Sequence, residues 1–427
     1  MINSKYINLP RCLLNERRSR DELTHLQTIG LQKLTAHAYA TVPFYKKLFD
    51  DIRLHPEEII SLEDLKKIPV IDKKILAENT YDKLISRDYN ITNLLPVRTA
   101  GSNGSPYMFY IDYSFDQFRK AQFLRPYITN GRRLFDHSVL FSVYESARSK
   151  WYNRFGLLRE SRIFSGDKID LQIKKLLNIR PDIIQGYGSV LNLISINILE
   201  KNIEIKKPRL VFTDSELLMP DMRENIGKAF GTEVIDVYGT FETDNIAYEC
   251  SKHEGYHIAS DSVIMEFLKD NKPVEAGEEG EIVVTVLNNY AMPFIRYNLH
   301  DVGCFINKLC SCGRTFPLMN QIKGRSSDYM LAKDGRKFSV FNLGRFASLA
   351  PNVYEYQIIQ EDYNVFTVLI VPAETYNNEG ELIIKPSIQK LFPDALIKME
   401  LVSSIKREPS RKFKAFKSKV NLSDQNI

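Results

Sequence analysis

The sequence predicts an α/β protein: a large N-terminal domain of several subdomains, with a mostly parallel sheet plus a β-rich part, and a small α+β C-terminal domain. Three observations carry this. Strand-like and helical runs alternate between about residues 138 and 237, the pattern of a parallel sheet with crossover helices. The pattern turns β-rich around Met265–Phe267 and Gly280–Leu287, and the last hundred residues set paired strands around one helix. Length agrees, since 427 residues exceed the roughly 250–300 that one core holds.

The elements follow in order. The first 150 residues read as largely helical. Ser19 to Asp51 carries Leu23, Leu26, Ile29, Leu31 and Leu34 at helical spacing, interrupted by Pro43. Ser61 with Asp64 before Leu65 has the form of an N-cap and acidic first turn. Residues 138–142, 183–186, 210–212 and 233–237 are strand-like, with helices over 189–199 and 219–230. After a boundary at Gly324-Arg325, residues 329–338 form a hairpin pattern with Asp334-Gly335 at the turn. Strands at 354–360 and 365–371, a helix at 382–391 and a strand at 396–402 complete the C-terminal part. The expected division is therefore 1–323, a hinge at 324–328, and 329–427.

Composition excludes several classes. Hydrophobic residues are 44% and charged residues 26%, an ordinary globular balance. The longest apolar run, Val365 to Val371, suits a buried strand and falls far short of the roughly 20 residues that span a membrane. The first residues lack a secretory pattern, so a cytoplasmic protein without membrane insertion is expected. Net charge is +5, part of it in a tail holding Lys406, Arg407, Arg411, Lys412, Lys414, Lys417 and Lys419. No nucleic-acid motif accompanies that tail, which favours a small phosphorylated ligand. Five cysteines make no disulfide framework.

Five motifs carry chemistry. Thr99-Ala100-Gly101-Ser102-Asn103-Gly104-Ser105-Pro106 has the small residues that let backbone N–H groups close around a polyphosphate. No Lys follows the second Gly, so it is not a P-loop. Tyr238-Gly239-Thr240-Phe241-Glu242 follows a strand, where parallel sheets gather their ligand loops. Its tyrosine can stack on a purine, and its carboxylate can hold Mg2+. Ile295 to Asp301 offers an Asp able to accept ribose hydroxyls. Gly324-Arg325-Ser326-Ser327-Asp328 and Ser410-Arg411-Lys412-Phe413-Lys414 follow. Each alone is weak, and an exposed turn or a solvated carboxylate explains it as well.

Their order is what discriminates. This series resembles the motifs of the acyl-adenylate-forming superfamily, in particular its phenylacetate–CoA ligase and CapK-type capsule-biosynthesis branch, from about Leu65 to Val420. The resemblance implies ATP and Mg2+ as cofactors, a carboxylic acid substrate, and acyl-AMP as the first product. It implies that Thr99, Gly101, Ser102, Asn103 and Gly104 clasp the ATP phosphates and Glu242 ligates Mg2+. Tyr238 would stack on adenine, with Ser215, Glu216, Asp236, Gly239 and Thr240 around the nucleotide and Asp301 on the ribose. Arg325 would contact ribose or phosphate near the hinge. Lys412, on a mobile small domain, would stabilise the pentacoordinate phosphorus. Tyr187 and Gly188 are candidates for the acid pocket.

The implied acceptor is coenzyme A, with an amine as the alternative, and a homodimer is left open. The chain departs from the pattern at Phe241, Ser327 and Arg411, which keeps a nucleotide-binding scaffold as a rival; retention of Glu242, Asp301 and Lys412 together argues for the enzyme.

A second constellation is Cys250, His257, Cys310 and Cys312. Cys310-Ser311-Cys312-Gly313 is a tight knuckle, and with Cys250 and His257 it completes a four-ligand structural zinc site. His253 and Cys304 are possible substitutes. Ordinary thiols in a reducing compartment are the plainer explanation, and similar Cys/His sets in some members of the resembled branch favour zinc.

Overall fold

The structure is a computed structural model, and it describes residues 5–99, 107–142, 151–325, 329–339, 353–373, 376, 379–406 and 413–420. Contacts divide the chain into two compact units that interleave in sequence, Met1–Gly131 with Val237–Ile322 and Arg132–Asp236 with Lys323–Ile427. The region expected as one large domain, 1–323, thus contributes to both.

The first unit begins with the predicted helices. Arg20–Thr41 starts at a capping box: the Glu22 N–H donates to Ser19 Oγ at 3.2 Å, and the Ser19 N–H donates back to the Glu22 carboxylate at 2.8 Å. Pro43 opens the next helix, Pro43–Asp51, in its first turn, where a missing N–H costs nothing. The Ser61 N–H and hydroxyl donate to the Asp64 carboxylate at 2.9 and 2.8 Å, but Leu62–Lys67 is a short 3-10 turn. A hairpin pairs Leu95–Arg98 with Met108–Ile111, where the sequence had read as helical.

The main sheet of this unit is antiparallel. Its order runs Lys272–Pro273, Val263–Lys269, Glu279–Val286, Tyr297–Ile306, Leu318–Met319, Tyr256–Ile258, Asp244–Glu249 and the end of Val234–Thr240. Ile71 bonds across to Arg296 and Asn298 at 3.0 and 2.8 Å. Buried Arg296 holds Glu266 through two bonds of 2.8 and 3.0 Å and donates to the Ile68 and Lys66 carbonyls at 2.5 and 3.3 Å. Arg296 is therefore a structural clamp within its motif, since a buried guanidinium needs its donors filled.

The second unit holds the parallel sheet, in the order Arg159–Phe164, His137–Ser142, Ile183–Tyr187, Leu210–Asp214, with Val234–Thr240 next. Helices Ile169–Ile179, Gly188–Glu200 and Pro220–Phe230 connect its strands. Gly186 is required here, because a Cβ would come within 2.9 Å of Phe141 Cβ. A separate four-stranded sheet runs Leu396–Leu401, Val365–Pro372, Val353–Asp362, Phe416–Ser418, with the helix Glu379–Leu391. The predicted hairpin is present as Tyr329–Leu331 and Lys337–Ser339. One buried cluster joins Val139, Ile184, Leu191 and Ile226 to Ile358, Phe366, Ile384 and Phe416, which makes this unit compact across the break in sequence.

Candidate active site and metal cage

In the first unit the nucleotide motifs converge. Strands Val234–Thr240 and Asp244–Glu249 form a tight antiparallel turn whose register shifts at Tyr238/Gly239. A Cβ on Gly239 would lie 2.3 Å from the Asp244 carbonyl oxygen, so only glycine fits. The turn is closed by Thr240 and Thr243, whose hydroxyls are 3.0 Å apart. Its tip faces two ways: Glu242 is buried, whereas Phe241 is 44% exposed and offers its carbonyl to Arg119 at 2.9 Å.

The Tyr238 hydroxyl donates to Asp301 at 2.7 Å, and Tyr297 donates to Glu242 at 3.2 Å. Burial, then the neighbouring Glu242 charge, pushes the Tyr297 phenol well above its usual range, so it stays a donor. Buried Tyr107 is also raised, first by burial and then by Tyr81 and Glu242. Its hydroxyl has no hydrogen-bond partner among the described residues. Tyr107 escaped the sequence reading, though it directly follows the glycine-rich loop, and Tyr297 had no role assigned despite lying inside a motif.

Thr99 and Tyr107 tie the ends of that loop. The Thr99 N–H donates to the Tyr107 carbonyl at 2.8 Å, and the Tyr107 N–H donates to Thr99 Oγ1 at 2.9 Å. Gly101, Ser102, Asn103 and Gly104 lie outside the described residues, as do Ser327, Arg411 and Lys412.

The remaining nucleotide and acid-pocket candidates belong to the second unit. Tyr187 and Asp214 end neighbouring parallel strands in register, where open α/β sheets bind ligands. Gly188 begins the helix Gly188–Glu200. Ser215 sits at φ +66°, and the Glu216 N–H reaches the Asp214 carbonyl at 2.8 Å around it. Buried Asp236 accepts the Thr213 hydroxyl at 2.6 Å. Arg325 is half-buried and follows Gly324, whose φ of +107° suits glycine alone.

The cysteine constellation is assembled as expected. Ligand atoms of Cys250, His257, Cys310 and Cys312 all lie within 4.8 Å of one another. Cys250 and Cys310 sulfurs are 3.6 Å apart, and Cys312 Sγ is 3.4 Å from His257 Nε2. These are close to the edges of a tetrahedron whose arms are about 2.3 Å to sulfur and 2.0 Å to nitrogen. Burial lowers His257 to about 4, leaving the neutral imidazole a metal needs. Burial lifts Cys310 to about 12, whereas at Cys312 the opposing burial is overcome by the Arg314 N–H and guanidinium. Arg314 in turn pairs with buried Glu16 at 2.8 Å, tying the knuckle to the turn that follows the helix Lys5–Asn15. Neither His253 nor Cys304 joins the group; Cys304 donates to the Phe305 carbonyl.

Comparison with known proteins points one way. The CapK C-terminal domain family matches residues 330–419. The phenylacetate–coenzyme A ligase of Escherichia coli K12 is 27% identical over 332 residues, 74% of each chain. Protein CapK of Staphylococcus aureus is 24% identical over 375 residues, covering 84% of this chain and 81% of that protein. A 2-hydroxyisobutyryl-CoA ligase, solved in the postadenylation state with R3-HIB-AMP, shares the fold at a TM-score of 0.79 and 19% identity, over 96% of this chain and 91% of its own. ATP-bound MatB of Rhodopseudomonas palustris aligns over 76% of this chain and 67% of its own, at TM-score 0.52 and 14% identity. With the ordered motifs on this fold, the chain is similar to the phenylacetate–CoA ligases and to CapK, and it shares the fold of an acyl-CoA ligase.

Proposed function

We propose that this chain activates a carboxylic acid with ATP as its acyl-AMP, releases pyrophosphate, and passes the acyl group to coenzyme A. The observation that carries the reading is the convergence of Tyr238, Asp301, Glu242 and Tyr297 around the turn after a sheet strand.

The residues divide the work. Asp301, fixed by the Tyr238 hydroxyl, accepts from ribose, and the anchored Tyr238 ring offers a face to adenine. The loop tied at Thr99 and Tyr107 presents N–H groups to the β- and γ-phosphates. Glu242 suits Mg2+, which takes one or two carboxylates alongside substrate phosphates. That ion supplies charge neutralisation on the polyphosphate. Tyr297 holds the Glu242 carboxylate in one orientation. The substrate carboxylate attacks the α-phosphorus in line, and Lys412 meets the charge that builds on its oxygens. The protein contributes position and field, without a covalent intermediate of its own. Residues 329–427 act as the small domain that carries Lys412, turning about 324–328 between the two half-reactions.

Cys250, His257, Cys310 and Cys312 hold one zinc ion. Four protein ligands leave no open position, so the role is structural. An amine is the alternative acceptor to coenzyme A.

Purified protein incubated with ATP, Mg2+ and a panel of aromatic and aliphatic acids tests the reading. Acid-dependent AMP and pyrophosphate are expected, followed by thioester on addition of coenzyme A. ADP and phosphate as acid-dependent products would sink it. Amide from a sugar amine, with no thioester, would replace the acceptor and keep the first half-reaction.

A further inference from the structure

Glu216 makes contacts that the nucleotide-lining role does not explain. Its Oε2 accepts the N–H of Ser189 at 3.1 Å, and its Oε1 accepts the N–H of Phe413 at 2.7 Å. Ser189 lies in the first turn of the helix Gly188–Glu200, whose unpaired N–H groups favour a carboxylate. Phe413 directly follows Lys412 in the sequence. One carboxylate thus joins the end of a parallel-sheet strand, a helix N-terminus and the peptide beside the expected catalytic lysine, all within the second unit.

The backbone aims it there. Ser215 adopts φ +66°, rare for a residue with a Cβ, and the Glu216 N–H to Asp214 carbonyl bond of 2.8 Å closes a γ-type turn around it. The Ser215 hydroxyl donates to Asp214 at 2.8 Å, and Asp214 accepts from Gln185 at 2.7 Å, so the strained corner is held from both sides. Strain of this kind persists only where the surroundings over-determine it.

We propose that Glu216 is a positioning residue, a latch that docks the lysine-bearing segment for adenylation and lets it go for acyl transfer. The idea rests on the adenylating function proposed above. These two bonds run from backbone N–H to carboxylate, each able to shift a docking equilibrium roughly tenfold to a hundredfold. They are non-covalent, so the same contact can break when the small domain turns. On this proposal the carboxylate acts by placing the Phe413 peptide beside Lys412.

The test uses the full chain with Glu216→Ala and Glu216→Gln. Hydrogen exchange at the Phe413 amide reads the latch without any turnover. It should speed up at least tenfold in Glu216→Ala and less in Glu216→Gln, which retains an acceptor oxygen, while the parallel-sheet strands keep their protection. Acyl-AMP formation should fall roughly ten- to a hundredfold in Glu216→Ala, with ATP affinity within threefold. Acyl transfer from pre-made acyl-AMP should stay within twofold. Unchanged exchange at Phe413 would overturn the latch. So would an equal loss in both half-reactions, which marks a merely structural role, or an ATP affinity that falls in step with the rate, which marks a nucleotide contact. If the unaltered protein forms no acyl-AMP from any acid, the functional reading fails and the latch falls with it; acyl-AMP formed with unchanged exchange at Phe413 overturns the latch alone.

Discussion

In the proposed mechanism, Lys412 and Glu242 would divide the electrostatic work at the level of single residues. Negative charge grows on the α-phosphate oxygens only as the carboxylate attacks, so a placed ammonium acts on the barrier more than on bound ATP. Losing such a donor costs about 3–4 kcal/mol, a hundred- to thousandfold in rate. Lys412→Ala is therefore expected to cripple acyl-AMP formation while leaving ATP affinity within a few-fold and transfer from pre-made acyl-AMP intact. Rapid-quench measurement of both half-reactions on one preparation checks it; an unchanged adenylation rate would strike Lys412 from the mechanism. At this scale the sequence singled out Tyr238, Glu242 and Asp301, side chains that the fold brings to one turn through Tyr238–Asp301 and Tyr297–Glu242 bonds. It was silent where backbone makes the contact. Glu216 accepts from two backbone N–H groups that any residue supplies, one of them 197 positions away. Tyr107 was hidden differently, as an aromatic that reads equally well as core.

At the level of elements, the cysteine knuckle makes the sharpest statement. Its ligands come from a strand end, a three-residue strand and a turn, Cys250, Tyr256–Ile258 and Cys310–Cys312, pieces too short to hold one another by area alone. Metal binding to such sites contributes on the order of 10 kcal/mol in small domains. Cys312→Ser should lower zinc content and melting temperature together, measured by elemental analysis and calorimetry on unchelated protein. Full stability in protein that contains no zinc would end the assignment. Local patterns explain which elements were legible. Ser19 with Glu22, and Pro43 after Val42, mark helix ends through hydrogen bonds within a few residues. The strand Arg159–Phe164 begins Arg-Glu-Ser-Arg on the sheet edge, so it shows neither alternation nor an apolar run. The hairpin at 95–98 and 108–111 has four-residue arms, too short for a period to show.

For the molecule as a whole, stability should depend on pH through Asp221. It lies buried at the start of the helix Pro220–Phe230. Burial, against its own and the Met222 N–H and helped by Glu224, raises it from 3.8 to about 6. The Tyr356 phenol, itself raised by burial and by Asp221, lies within reach of that charge. Between pH 4 and 6 the folded chain therefore holds a proton that the unfolded chain has released. Stability falls as pH rises through that window, and the cost is complete above it, about 3 kcal/mol for a shift of this size. Asp221→Asn should melt like the unaltered protein near pH 4 and above it at pH 7.5, in parallel thermal scans; a constant gap across that range would refute the assignment. The interleaving of the two units bears on synthesis. Residues 1–131 leave the ribosome without their partners from 237–322, a wait of roughly 5–20 s at translation speeds of 5–20 residues per second. Residues 132–236 in turn wait for 323–427. Each half of the nascent chain therefore carries unfinished apolar surface past the exit tunnel, and a message truncated late in the gene yields a chain in which the first unit can close and the second cannot.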